Sequence, residues 1–152
     1  MCLIIEQNKN TLKMENQMIK KNFDVQSIGL NANYKEVFEF VARPQNLPKW
    51  TNAFSSANED EAMLVTPNGE LPIKLKTVTS VEFGTIDWYM AMPDGSIGKA
   101  FSRVSENGDA TIYTFTLLAP PVPLEQIEGA LAAQIPILTK ELKKLKSLLD
   151  HN

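Results

Sequence analysis

The feature that most constrains this chain is an apolar stripe near its C-terminal end. Leu124, Ile127, Leu131, Ile135, Leu138, Leu142, Leu145 and Leu149 recur at steps of three and four, the spacing of one face of an α-helix. At 1.5 Å per residue the stripe runs about 39 Å, longer than any other apolar surface in the chain, so the rest of the fold has to cover it. Ala119-Pro120-Pro121-Val122-Pro123 cannot continue a strand, and Pro123 suits a first helical turn. Glu125 and Glu128 stand at the start and Lys140, Lys143, Lys144 and Lys146 near the end, as the helix dipole favours. The spacing predicts one continuous helix from Pro123 to Leu149, bent locally at Pro136, which has no N–H for the Ala132 carbonyl.

What precedes the stripe reads as a sheet. Pro67-Asn68-Gly69, Phe83-Gly84, Pro93-Asp94-Gly95 and Asn107-Gly108 punctuate short β-prone runs, predicting an antiparallel meander. Its strands are expected at about 54–57, 61–66, 71–81, 85–92, 97–105 and 111–118. Residues 23–30 form a further strand, with Phe23, Val25, Ile28 and Leu30 inward and a slip near Ser27. Between them, Asn33 and Glu36 have the spacing of a capping box ahead of Val37, Phe38 and Val41, which gives a short helix ended by Pro44. A second short helix or turn carries Trp50 as its apolar anchor.

A strand, two short helices, a six-strand meander and a long amphipathic helix make an α+β domain in which a curved sheet wraps a helix. The domain spans 22–150. Residues 1–21 are polar and lysine-rich and read as a loosely ordered leader, within which Met14 and Met18 offer alternative starts.

Composition excludes several function classes. Forty-three per cent of the residues are hydrophobic, too many for a disordered chain, and no apolar run reaches the length of a membrane span. Fifteen basic against 18 acidic residues, with no basic stripe, argue against nucleic acid. His151 is the only histidine and Cys2 the only cysteine, each near a chain end, which leaves no basis for a catalytic triad, a cysteine–histidine pair or a metal centre. No cofactor is expected. The absence of a basic, apolar leader points to the cytoplasm.

The chain resembles the START/Bet v 1-like (SRPBCC) superfamily and its polyketide cyclase/dehydrase-like members. The resemblance rests on Asn33-Tyr34-Lys35-Glu36-Val37-Phe38-Glu39-Phe40-Val41 with Asn46-Leu47-Pro48-Lys49-Trp50, on Gly84-Thr85-Ile86-Asp87-Trp88, and on Leu142-Lys143-Lys144-Leu145-Lys146-Ser147-Leu148-Leu149. It implies a helix-grip fold with a cavity between the concave sheet and the long helix. It also implies members that carry lipids, sterols, hormones or polyketides, a minority of which catalyse cyclisation or hydrolysis.

A two-residue turn at Asp94-Gly95 would pair Met92 with Ile97 and Trp88 with Phe101, and so place Ile86, Trp88, Met90, Met92, Ile97, Phe101 and Arg103 on the cavity face. The expected walls are Trp50, Phe54, Ile73, Leu75, Trp88, Met90 and Phe101, with Leu131, Ile135 and Leu138 as lid and Arg103 as polar anchor. Asp87, Tyr89 and Ser102 would face outward. Trp88 and Phe101 serve equally as plain core, Arg103 as half of a surface ion pair, and Asp87 as a solvated strand residue. Arg43 reads as a surface residue, Glu59-Asp60-Glu61 as a solvated loop, and Lys140 to Lys146 as a basic outer face.

The leading expectation is binding or carriage of an apolar, lipid-like or aromatic small molecule without turnover, by a monomer or homodimer. The alternatives are a cyclase or dehydratase using Asp87 or a tyrosine, and an interaction module whose cavity has collapsed. A purely apolar cavity would favour the carrier, two convergent ionisable groups the enzyme, and a filled interior the interaction module.

Overall fold

A computed structural model of the protein describes residues 22–151. The expected leader, 1–21, lies outside the described residues. Seven strands form one antiparallel sheet: β1 (Phe23–Leu30), β2 (Phe54–Ala57), β3 (Glu61–Thr66), β4 (Gly69–Ser80), β5 (Thr85–Ala91), β6 (Ile97–Asn107) and β7 (Ala110–Leu118). Their spatial order is β1-β7-β6-β5-β4-β3-β2, so the meander runs in sequence and its last strand pairs with the first. The helices are α1 (Tyr34–Ala42), α2 (Leu47–Trp50), α3 (Val122–Glu128) and α4 (Leu131–Leu149), with a 3-10 turn at Pro44–Asn46. This is the helix-grip arrangement that the order of elements predicts. No described helix is long and apolar enough to cross a membrane.

Asn33 caps α1, its Oδ1 accepting from Glu36 N–H at 2.9 Å, which satisfies one of the free donors of the first turn. The Glu36 carboxylate turns to His151 Nε2 at 2.7 Å. The distal end of α4 is tied to β1 and its exit: Lys146 Nζ donates to Gly29 O at 2.9 Å, and Asn31 N–H donates to Asp150 Oδ1 at 2.8 Å. Lys146 and that N–H hold the Asp150 carboxyl below its ordinary range.

Three expectations are corrected. The long helix is two helices, because Gly129 takes φ 90°, a left-handed conformation that ends α3 at almost no cost for glycine. Gln134 Nε2 then donates to Gly129 O at 2.9 Å, and α4 starts afresh and remains helical through Pro136. The leucine stripe continues across a break in the backbone, and for that reason reads as one helix.

The slip in β1 is also absent. Its pairing with β7 is unbroken from Phe23↔Leu118 to Leu30↔Thr111, so Phe23 and Val25 face outward, 48% and 52% exposed. Gln26 takes an inward position because it serves α4: its Nε2 donates to Ile135 O at 3.0 Å, and its Oε1 accepts from Thr139 Oγ1 at 2.8 Å.

The third correction concerns the β5–β6 hairpin. Ala91 pairs with Ile97, and Met92 N–H donates to Ser96 O at 2.9 Å, leaving Pro93-Asp94-Gly95 as a three-residue loop with Gly95 at φ 89°. Asp94 Oδ1 fixes it by accepting from Ser96 N–H at 2.9 Å and Ser96 Oγ at 2.7 Å. The extra residue moves the register by one, and a one-residue move exchanges the two faces of a strand. Trp88 consequently opposes Ala100 and not Phe101. Ala100, Ser102 and Val104 of β6 are buried while Ile97 and Arg103 are exposed, and Phe101 lies on the outer face, edge-on to Tyr89 at 6.3 Å.

Candidate functional site

Inward alternation of the strands sets one wall. Trp88 and Met90 of β5, Ala100 of β6, and Phe115 and Leu117 of β7 share the concave face, and Trp88 stacks on Phe115 with ring centroids 5.9 Å apart. Ala100 stands on the strand between those two and is small enough to leave room above the sheet. Leu47 and Trp50 of α2 and Phe54 of β2 close a second side. Gln134, Ile137, Leu138 and Glu141 of α4 form the roof, one to two turns apart on a single face.

The cavity is about 230 Å3 and partly open to solvent, where Val65 and Ile137 of its wall are exposed. An apolar cavity of about 150 Å3 holds a benzene ring, so this one suits a body of one or two rings. Away from this wall, Leu124 of α3 lies so close to β6 that a Cβ on Gly98 would sit 2.7 Å from Leu124 Cδ2. Glycine at 98 is what lets α3 settle on the sheet.

Polar groups on this wall are few. The indole N–H groups of Trp50 and Trp88 and the Thr51 hydroxyl are buried without a hydrogen-bond partner among the described residues, an arrangement that is costly unless a ligand or water satisfies it. Glu141 Oε2 accepts from Asn52 N–H at 2.8 Å, which joins α4 to the α2–β2 connection. Burial pushes the Glu141 carboxyl up to about 7, against the smaller opposing effects of that N–H and of Lys144. Deeper in the core, Tyr113 is fully buried, edge-on to Trp50 at 6.1 Å. Its hydroxyl makes no hydrogen bond of good geometry among the described residues, and burial raises its pKa, with the neighbouring Ser102 hydroxyl acting in the opposite direction. Ser102 itself donates to Ile86 O at 2.7 Å.

The structure brings Trp50, Phe54, Trp88, Met90 and Leu138 together on the cavity wall. Ile73 and Leu75 are buried on the concave face but outside the cavity, and Leu131 and Ile135 are half-buried beyond its roof. Phe101 and Arg103 are corrected: the three-residue hairpin loop turns them to the outer face, so Arg103 anchors nothing inside. Asp87 pairs with Phe101 on that same outer face, which removes it from the cavity. Sequence reasoning missed Phe115, Ala100, Gln134 and above all Glu141. The signal was present, since Glu141 interrupts the leucine stripe three residues after Leu138 and four before Leu145.

No protein-family model matches the chain, and no curated protein matches it by sequence. Solved structures do match its fold. A START superfamily protein from Mycobacterium smegmatis superposes with a TM-score of 0.58 at 10% identity, over 84% of this chain and 98% of that one. The di-domain ARO/CYC StfQ of the steffimycin biosynthetic pathway gives 0.61 at 11%, over 84% and 44%. The Aha1 dimer from Colwellia psychrerythraea gives 0.57 at 18%, over 84% and 96%. At these identities the likeness establishes the START-like fold alone and leaves function to the site.

Proposed function

We propose that this protein binds a small apolar molecule of one or two rings in the cavity beneath α4 and carries it without chemical change. The observation that carries this reading is the aromatic cavity itself, walled by both tryptophans of the chain, with two indole N–H groups that find no acceptor among the described residues. A ligand with an apolar body and an acceptor oxygen would satisfy both features. The START-like and ARO/CYC neighbours support a ligand-binding use of the fold. Burial of apolar surface at roughly 25 cal/mol per Å2 supplies the driving force. Absence of turnover is inferred from the wall, where Glu141 is the single ionisable side chain among the described residues, whereas cyclisation in our reading needs two converging groups.

A second reading has one observation in its favour. A carboxyl held near 7 is suited to general acid–base catalysis, so chemistry on the bound ligand would run through Glu141 and not through Asp87.

The test is a titration with prodan, a neutral naphthalene ketone whose emission reports an apolar site. The expected dissociation constant is about 1 to 100 μM, or roughly −8 to −5.5 kcal/mol. Ala100→Phe, which fills the space between Trp88 and Leu117, should abolish binding while the fold remains. No saturable binding, or equal binding by that variant, refutes the carrier. A ring-bearing ligand recovered chemically altered only when Glu141 is intact would establish the second reading instead.

A further inference from the structure

We infer that the ligand of this cavity carries a basic nitrogen, held as an ammonium group against the free oxygen of Glu141 and enclosed by the aromatic walls. The inference rests on the proposed cavity-binding function and deepens it by naming the ligand's head group.

Three observations carry it. Glu141 uses Oε2 for Asn52 N–H, and among the described residues no hydrogen bond or ion pair occupies its Oε1. The carboxyl is therefore half-satisfied on the wall of an apolar space, where an unpaired charge is expensive and an opposite charge is correspondingly welcome. Second, no cation among the described residues lines the cavity. Lys144, on the same helix, is the one charge that acts on Glu141. Lys49 of α2 lies over the Phe40 ring, 6.0 Å from its centroid. The α2–β2 connection offers a backbone N–H, and the strands opposite offer Trp88, Met90, Phe115 and Leu117, none of them ionisable. Third, the remaining walls are rich in aromatic rings, whose faces attract cations and stabilise an ammonium ion removed from water. An anionic ligand would meet the opposite: a like charge and no basic side chain on the wall.

Near-neutral titration of the carboxyl adds a condition. An ammonium ligand requires the ionised form, so its affinity should fall as pH drops from 8 to 6, while a neutral ligand of the same shape should not follow that course.

Calorimetry with three naphthalenes that differ only in their heads tests the inference: 2-naphthylmethylamine, 2-naphthylmethanol and 2-naphthoate. At pH 8 the amine should bind at least tenfold more tightly than the alcohol, and the carboxylate most weakly. Between pH 8 and pH 6 the amine's affinity should fall about tenfold. In Glu141→Gln the amine-to-alcohol ratio should drop to near one. An alcohol that binds as well as the amine overturns the inference and leaves cavity binding intact. So does a preference that survives in Glu141→Gln, or an amine affinity that is flat with pH in the unmodified protein. If none of the three binds, the proposed function falls together with the inference.

Discussion

Replacing Glu141 by glutamine should stabilise the protein at pH 8 and leave it nearly unchanged at pH 4.5. The carboxyl stands at about 7 in the folded protein against an ordinary glutamate value of 4.5, so the folded state holds this proton more tightly than the unfolded chain. The stability that goes with it is complete below about pH 4.5 and is lost as pH rises through 7, after which the loss levels off. At 1.36 kcal/mol per pKa unit the loss approaches about 3 kcal/mol, and residual solvent screening of a group not wholly buried brings it to ~2 kcal/mol. Glutamine keeps an acceptor for Asn52 N–H but never ionises, so the variant escapes the loss. Asp150, whose carboxyl is held low, works in the opposite sense at more acid pH, but it is common to both proteins and cancels in the difference. The assay is urea unfolding of both proteins at pH 4.5, 6 and 8, followed by the fluorescence of Trp50 and Trp88. A stability difference that does not change across this range would refute the reasoning, as would a variant less stable than its parent at pH 8.

Two further outcomes follow from the core and the helix break. Tyr113→Phe should be neutral or stabilising by up to about 1 kcal/mol, because it removes a buried hydroxyl that makes no hydrogen bond of good geometry among the described residues; a melting temperature lowered by several degrees would show that the hydroxyl is satisfied. Gly129→Ala should destabilise by about 1 to 2 kcal/mol, since alanine is strained at φ 90°, and an unchanged thermal midpoint would mean that α3 and α4 can join without loss.

Residue spacing was sufficient for the element order. Turn-forming residues at 67–69, 93–95 and 107–108 separate β-prone runs, and local backbone preferences at those positions hold in any tertiary setting. Asn33 likewise caps α1 through a contact three residues away. The START-like fold could be recognised because it is a sequence of such local decisions. The faces were not legible to the same degree. Whether Pro93-Asp94-Gly95 closes as a two- or three-residue loop depends on hydrogen bonds between Met92, Asp94 and Ser96, and that single residue decides whether Arg103 or Ser102 points inward.

The site itself is where tertiary structure had most to decide. A cavity is the space that side chains from distant segments fail to fill: Ala100 contributes by being small, and Gln134, Ile137, Leu138 and Glu141 by being carried over the sheet after the chain breaks at Gly129. The sequence determined that a long amphipathic helix would lie on a curved sheet, because burial of its leucines allows little else. It showed a carboxylate within that stripe without saying what the carboxylate would face. Only the docking of α4 against β1 and α2 places Glu141 on the wall of a cavity lined by aromatic rings, and its raised pKa follows from that burial, which the sequence does not show.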